Sequence, residues 1–371
     1  MIFLRFDRRI FQHFDWTILM LVLAMCTLGI LSIYSAGFSV SENNFPFYLK
    51  QIQWILLGLF FMSMAYLIDY RIICQAAYLI YGISIVLLII VFFYGYKTHG
   101  SQRWLSVGLF AFQPSELVKL SLIIVLARYF DNHNSNEHYK LKELFIPLVM
   151  VLIPCLLILK QPDLGTALVL MLLSASIIFF MGVNWRSFAV ALVSGLMLSP
   201  IGWYFLKAYQ KERLLTFLNP EHDPLGAGYH VLQSIIAIGS GGVFGKGFLN
   251  GSQTQLKFLP EQQTDFIFSV FAEEWGFIGA VVLAIMFLSL ILWGLKIALH
   301  SRDLFGTILA FGITALISWE VFINVGMVLG VLPVVGIPLP FLSYGGSAMV
   351  CLLTAVGLLM NVSVRRFILK N

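Results

Sequence analysis

Apolar stretches of about 20 residues, the length of a helix that crosses a hydrocarbon core of roughly 30 Å, recur along the whole chain. Only 11% of the residues are charged and 60% are hydrophobic, whereas an ordinary soluble domain has roughly 25% charged residues. The mean hydropathy is +0.91. There are too few charges to cover a water-soluble surface. The sequence therefore predicts an integral membrane protein.

We expect one all-α polytopic membrane domain over residues 1–371, because a backbone in lipid must satisfy its own hydrogen bonds. The pattern predicts about ten transmembrane helices, with a large extracytoplasmic loop (208–265) between helices 7 and 8. The eighth stretch is too long for one perpendicular crossing, so we expect it to tilt or to extend beyond the bilayer. The first has no clear cleavage site and is not expected to be a signal peptide. The expected spans are 16–37, 51–69, 73–96, 115–130, 143–159, 166–182, 187–207, 266–297, 306–329 and 343–363.

The basic residues predict the orientation of the chain. With the N-terminus in the cytoplasm, most of the 23 lysine and arginine residues fall in short cytoplasmic segments, where the positive-inside rule applies. We therefore expect both termini in the cytoplasm and the 208–265 loop outside. The net charge of +5 largely reflects this topology, so no nucleic-acid partner is expected.

The four cysteines lie in or beside apolar spans and show neither metal-ligand spacing nor a disulfide framework. The chain also has no repeat of fixed period and no inverted repeat of the kind that many transporters show. The cysteines are Cys26, Cys74, Cys155 and Cys351.

Ionisable residues near apolar spans are functional candidates, because charge in lipid is costly. Glu116 and Lys119 share one face at the start of the fourth span. They form either a neutral ion pair at a helix end or the polar lining of an outward cavity. Arg103, just upstream, either anchors the chain at the interface beside Trp104 or binds an anion.

Two further carboxylates remain open on sequence alone. Asp163 precedes the sixth span, where it would serve as a helix N-cap. Glu320 lies within the ninth span and has no obvious partner, so it is protonated, paired or exposed to a wet cavity.

The long loop carries two features of interest. Apolar residues at helical spacing from Val231 to Ile238, with Gln233 and Ser234 opposite, predict a short amphipathic helix at the membrane surface. The glycine-rich segment (residues 239–247) resembles a phosphate-binding loop in composition but does not fit the P-loop pattern. It is either a flexible hinge, or a set of backbone donors that holds a diphosphate together with Lys246.

Asp265 ends the long loop as a lone carboxylate that opens the eighth span, where the helix dipole favours its anionic form. Taken alone, it would be a helix N-cap. Its neighbourhood is nevertheless one of several motifs that, in order and across essentially the whole chain, resemble the SEDS family (shape, elongation, division and sporulation). The loop and termini are most similar to the elongation members. The motifs lie at 100–104, 113–116, 161–166, 258–268, 272–274, 324 and 330–347.

The resemblance implies a peptidoglycan glycosyltransferase that polymerises lipid II on the outer face of the bacterial cytoplasmic membrane and releases undecaprenyl diphosphate. It makes Asp265 the catalytic residue. It also implies a class B penicillin-binding protein and other membrane proteins of the elongation complex as partners, beside lipid II and the nascent glycan strand. Two positions depart from the family pattern: Gln263 replaces a frequent histidine, and Glu320 replaces an uncharged residue. The substrate-binding residues that the resemblance implies are Arg103, Glu116, Lys119, Asp163 and Lys246.

The implied chemistry suits these residue types. A β-1,4 linkage made from an α-linked diphosphate requires inversion, and one carboxylate takes the proton of the acceptor hydroxyl. The diphosphate needs cationic stabilisation rather than a second acid. A divalent cation, magnesium or manganese, would share that charge, but the sequence shows no ligand cluster for one. The alternatives are a lipid II transporter and a non-catalytic scaffold.

Overall fold

The computed structural model describes residues 14–38, 47–98, 101–107, 110–133, 143–182, 208–218, 227–256 and 261–366, with isolated positions at 139, 189, 197, 204 and 258. The span expected at 187–207 lies outside the continuous described ranges. The helices are α1 (Trp16–Gly37), α2 (Phe47–Leu67), α3 (Tyr70–Gln75), α4 (Ala77–Tyr94), α5 (Pro114–Asn132), α6 (Phe145–Lys160), α7 (Leu164–Phe180), α8 (Ala208–Leu218), α9 (Ala227–Gly241), α10 (Ser252–Gln255), α11 (Ile267–Leu299), α12 (Leu304–Val328) and α13 (Gly346–Arg365).

The part of the chain that the structure describes contains six helices long and apolar enough to cross a membrane: α1, α2, α4, α11, α12 and α13. Two shorter apolar helices, α6 and α7, accompany them. The chain is thus a mostly helical, multi-pass membrane protein. The count of about ten spans stays a prediction.

Helix α5 lies at the centre of the bundle and packs against α4, α6, α12 and α13. Pro114 occupies its first turn, where a missing backbone N–H costs nothing. Most of its residues are buried, including Glu116 and Lys119. These two charges therefore face protein rather than lipid.

The described residues between 96 and 112 depart from the expected all-α fold. They form a three-stranded antiparallel sheet of β1 (Tyr96–Thr98), β2 (Ser101–Val107) and β3 (Phe110–Phe112). Tyr96 pairs with Trp104 across the first two strands, an aromatic pair that stabilises such a sheet. The segment is too short and too polar to span a membrane, so it does not need to be helical. Pairing between the strands satisfies their backbone hydrogen bonds instead.

Helix α11 is broken at Gly276, whose φ of 65° and ψ of −164° are not helical. Two backbone N–H groups after the break find acceptors outside the helix. Phe277 donates to the carbonyl of Gly242 (2.9 Å), and Ile278 donates to that of Val243 (3.2 Å). The long eighth span is therefore two helical segments joined at Gly276.

The glycine-rich segment completes the same joint from the other side of the break. The N–H groups of Lys246 and Gly247 donate to the carbonyls of Glu273 and Glu274, at 3.0 Å each. A Cβ at Gly245 would overlap the backbone of α11. These two donors are used within the protein, so the segment forms a close-packed backbone joint with α11.

Helix α9 forms where the sequence predicts a helix. Ser234 and Ala237 are fully buried against the bundle, and Ser234 donates to the carbonyl of Val328. Leu232, Ile235 and Ile236 face outward. Small residues toward a partner helix and large apolar ones away from it are typical of helices packed in lipid. The predicted helix is confirmed, and its place at the membrane surface stays a prediction.

The helix ends sort into two groups. At one end, Gln262 donates to the carbonyl of Ala36 at 2.7 Å, which joins the approach to α11 with the end of α1. At the other, Arg365 pairs with Asp69 at 2.9 Å. There too the hydroxyl of Ser363 donates to the carboxylate of Asp15 at 3.1 Å. The first and last described segments therefore share one end of the bundle.

Candidate active site

A polar cavity of about 370 Å³, here called the central cavity, opens between the bundle and the loop that precedes α11. It brings together β2, α5, the start of α7, α8 and two loop segments from widely separated parts of the chain. Its charged lining residues are Arg103, Glu116, Lys119, Asp163, Arg213, Glu261 and Asp265.

Asp265 lies in this cavity, directly before α11. The N-cap position of α11 belongs to Phe266, and no side chain caps the helix, so the expectation of an N-cap at Asp265 was wrong. A Cβ built on Gly336 would come within 3.3 Å of Oδ2 of Asp265. A glycine there leaves the carboxylate open to the cavity.

Burial raises the pKa of Asp265 to about 6. Within that net value, the nearby charge of Glu261 also raises the pKa, and the charge of Arg213 lowers it. Asp163 raises the pKa and Arg103 lowers it, each by a smaller amount. A carboxylate with a pKa close to neutrality is ionised at physiological pH and still accepts a proton readily, as a general base must.

Asn324 of α12 fixes the backbone at Asp265. Its amide nitrogen donates to the carbonyl of Asp265 at 2.9 Å and to the carbonyl of Ile337 at 2.7 Å. The side chain is fully buried. It therefore ties the start of α11 to the loop on the facing side of the cavity.

The loop before α13 holds the two preceding residues. The hydroxyl of Ser343 donates to the carbonyl of Thr264 at 2.6 Å and accepts from the N–H of Leu339 at 2.7 Å. The N–H of Tyr344 donates to the carbonyl of Gln263 at 2.9 Å. The backbone on either side of the Asp265 carboxylate is thus fixed by specific bonds.

Arg103 and Asp163 form one wall of the cavity. The guanidinium donates to the carbonyls of Gln161 (3.1 Å) and Pro162, and its NH1 lies 3.6 Å from Oδ2 of Asp163. Asp163 also accepts from the N–H of Thr166 at 3.1 Å. The expected N-cap at Asp163 is confirmed, and the same carboxylate also lines the cavity.

Lys119 lies between two carboxylates. Its ammonium is 2.8 Å from Glu116 and 2.5 Å from Glu320, and all three side chains are buried. Of the alternatives for Glu320, the structure supports a paired residue. No local sequence signal could reveal this partner, because Glu320 follows Lys119 by 201 positions.

Lys246 does not line the central cavity. Its ammonium bonds the buried carboxylate of Glu273 at 2.8 Å and the hydroxyl of Ser252 at 2.6 Å. Glu273 also accepts from the N–H and hydroxyl of Thr254 at 3.2 and 2.9 Å. This network fixes the loop around α10 to α11.

Sequence reasoning missed Arg213 and Glu261 as parts of the site. Arg213 belongs to α8, a polar helix of the long loop without a distinctive motif, and only the fold brings it beside Asp265. Within the described ranges, no three histidine, cysteine, aspartate or glutamate side chains are arranged to hold a metal ion.

Comparisons with known proteins agree along the whole chain. The family model described as cell cycle protein, for FtsW, RodA and SpoVE, matches residues 15–367. The peptidoglycan glycosyltransferase MrdB of Escherichia coli K12 is 42% identical over 97% of this chain and 96% of its own. The peptidoglycan glycosyltransferase RodA of Treponema pallidum is 35% identical, covering 96% and 98%. A solved chain, from work on the structural coordination of polymerization and crosslinking by a peptidoglycan synthase complex, is 35% identical with a TM-score of 0.82, covering 95% and 98%.

Proposed function

The chain belongs to the SEDS family of FtsW, RodA and SpoVE proteins, and we propose that it polymerises lipid II into glycan strands as an inverting peptidoglycan glycosyltransferase. One observation carries the proposal at the level of the site. Asp265, with a pKa of about 6, lies in a cavity that also holds Arg103, Lys119 and Arg213. A base beside cations is the set that this reaction requires.

In the proposed reaction, the acceptor 4-hydroxyl attacks the anomeric carbon of the donor while Asp265 takes the hydroxyl proton. The bond from that carbon to the diphosphate oxygen breaks, and its electron pair leaves with undecaprenyl diphosphate. A general base of this kind contributes roughly 10²–10⁴ in rate. Cations near the developing charge stabilise the leaving group.

The predicted substrate contacts differ in their support. Arg103, Glu116, Lys119 and Asp163 line the same cavity as Asp265, which supports a role for them in binding. The contact of Lys246 with a diphosphate stays a prediction from the family resemblance. A divalent cation at the diphosphate stays a prediction, although within the described ranges no three histidine, cysteine, aspartate or glutamate side chains are arranged to hold one. The proposed reaction relies on the basic side chains of the protein.

The distribution of basic residues and the similarity to known proteins support a location, a role and a partner for the chain. The end of the bundle opposite the cavity holds Arg71, Arg128 and Arg365 among the described residues. Positive residues favour the cytoplasmic side. This supports an active site on the outer face of the bacterial cytoplasmic membrane and cytoplasmic termini. Similarity to MrdB and RodA supports a role in elongation. Similarity to a chain of a complex that polymerises and crosslinks supports a class B penicillin-binding protein as partner.

The test is polymer formation from lipid II by the purified full chain. We expect Asp265→Ala and Asp265→Asn to abolish polymer while the thermal unfolding midpoint is not lowered. Asp131→Asn is the matched control, since Asp131 pairs with Arg128 at the opposite end of the bundle. Full activity of the Asp265→Ala protein would refute the proposal. Lipid II translocation in proteoliposomes without polymer would favour a transporter instead.

A further inference from the structure

The central cavity holds more acidic than basic side chains. Four of its lining residues are carboxylates, Glu116, Asp163, Glu261 and Asp265, and three are basic. The carboxylates of the cavity would repel a diphosphate that enters it. Binding therefore requires a cation there whose charge the protein does not already neutralise. The identity of that cation decides how the anionic part of the substrate is bound.

Two of the three basic side chains are already committed. Lys119 is in contact with two carboxylates, those of Glu116 and Glu320. All three of the guanidinium nitrogens of Arg103 face partners within the protein: two backbone carbonyls and the carboxylate of Asp163. These arrangements hold both side chains in place and offset their charge.

Arg213 is different. It forms no ion pair or hydrogen bond with any residue that the structure describes, although it lines the central cavity. It also borders a small neighbouring pocket beside Phe217 and Val231. The side chain therefore has apolar surroundings along part of its length and reaches the polar cavity as well. A guanidinium so placed retains its donors for a ligand.

We propose that Arg213 binds the diphosphate of the lipid-linked donor and stabilises it as the leaving group. The inference rests on the proposed glycosyl transfer and adds a residue and a role to it. The planar guanidinium donates two parallel hydrogen bonds to phosphate oxygens, a geometry that an ammonium cannot reproduce. No proton is transferred: Arg213 stays cationic while the electron pair of the broken carbon–oxygen bond moves onto the diphosphate.

The electrostatics of the cavity agree with this position. Among the basic residues, Arg213 has the largest effect on the pKa of Asp265, ahead of Arg103. Its charge therefore acts close to the carboxylate that removes the acceptor proton. A cation there lies near both groups that change charge in the reaction.

The experiment measures binding separately from turnover. On an Asp265→Asn background, which cannot take the proton, the purified full chain is titrated with undecaprenyl diphosphate in nanodiscs. We expect Arg213→Gln to weaken binding by roughly 10- to 100-fold, the effect of losing hydrogen bonds to a charged group. Arg213→Lys should recover only part of the loss. Lys211→Gln removes the same charge two positions away on α8, from a residue that does not line the cavity, and should bind normally.

Two results would overturn the proposal. One is unchanged affinity of Arg213→Gln for undecaprenyl diphosphate, with an unchanged thermal unfolding midpoint. The other is equal competition by phosphatidylglycerol, which would identify a general site for anionic headgroups. If the wild-type chain fails to polymerise lipid II while Arg213-dependent diphosphate binding persists, the proposed function fails and the binding site stands.

A second experiment measures turnover in protein that retains Asp265. Arg213→Gln, with Asp265 intact, should lower kcat more than it raises KM, because the leaving group gains charge in the transition state. It should also move the acidic limb of the pH–rate profile to higher pH, since a cation that lowers the pKa of Asp265 is lost. A purely structural effect would change the amount of active protein and leave the limb where it is.

Discussion

Acidification is the most direct test of Asp265 as the general base. With a pKa of about 6, the ionised fraction is about 90% at pH 7, about 50% at pH 6 and about 10% at pH 5. Only the ionised carboxylate accepts a proton from the acceptor hydroxyl. We therefore expect the polymerisation rate to fall about tenfold between pH 7 and pH 5.

The assay is the initial rate of polymer formation from fluorescent lipid II at subsaturating concentration, between pH 5 and pH 8 at constant ionic strength. Glu261→Gln removes the neighbouring charge that most raises the pKa of Asp265, so its acidic limb should move to lower pH. Asp131→Asn, at the opposite end of the bundle, should leave the limb unchanged. A flat rate from pH 5 to pH 7 in folded protein would refute the role of Asp265 as base.

The same pKa predicts a stability effect of defined sign. The folded-state pKa of about 6 lies above the ordinary value of 3.8, so the ionised form of Asp265 disfavours the fold. The stability that Asp265 contributes is present below about pH 4 and is lost as the pH rises through 6. At pH 7.5, Asp265→Asn should stabilise the chain by up to roughly 3 kcal/mol. A lower unfolding midpoint for this variant would contradict the reasoning.

Five substitutions, one of them a control, test the structure that supports the site. Gly276→Ala places a Cβ against backbone atoms at a positive φ. The backbone strain alone costs about 1–3 kcal/mol, and the overlap adds to it, so we expect a lower thermal unfolding midpoint. Gly82→Ala, where a Cβ meets nothing within 4 Å, is its control and should not destabilise. Lys119→Met leaves two buried carboxylates without a cation and should cost about 3–5 kcal/mol. Glu320→Gln retains an oxygen for the ammonium and should cost under about 1 kcal/mol in the same measurement. Asn324→Ala deprives two backbone carbonyls of their donor and should cost about 1–3 kcal/mol, with a polymerisation rate below wild type in protein that remains folded. An unchanged rate would show that this clamp does not position the base.

The sequence predicted the described apolar helices well because hydropathy acts locally. The helices α12 (Leu304–Val328) and α13 (Gly346–Arg365) lie within a few residues of the expected 306–329 and 343–363. The break at Gly276 could not be predicted in this way. It depends on a distant backbone segment that supplies the missing hydrogen-bond partners, and glycine at one position of an apolar helix does not reveal such a partner.

Within the site, residue types were easier to predict than pairings. Arg103, Asp163 and Asp265 attract attention because polar groups interrupt an apolar pattern, and the fold brings them to one cavity. The pairing of Lys119 with Glu320 requires α5 and α12 to be neighbours, which a single sequence does not specify. Arg213 gave no signal at all, since a basic residue in a polar loop helix is ordinary.

The joint at Gly276 has a consequence for how the chain is made. Residues 242–247 precede α11, so they leave the ribosome first, and domains form from the N-terminus as synthesis proceeds. When α11 enters the bilayer, unpaired backbone groups at its break would each cost several kcal/mol in hydrocarbon. The earlier segment is then already available to pair with Phe277 and Ile278. A circular permutant that begins at α11 would insert the broken helix with no partner, and we expect it to enter the membrane poorly even though every native contact remains possible.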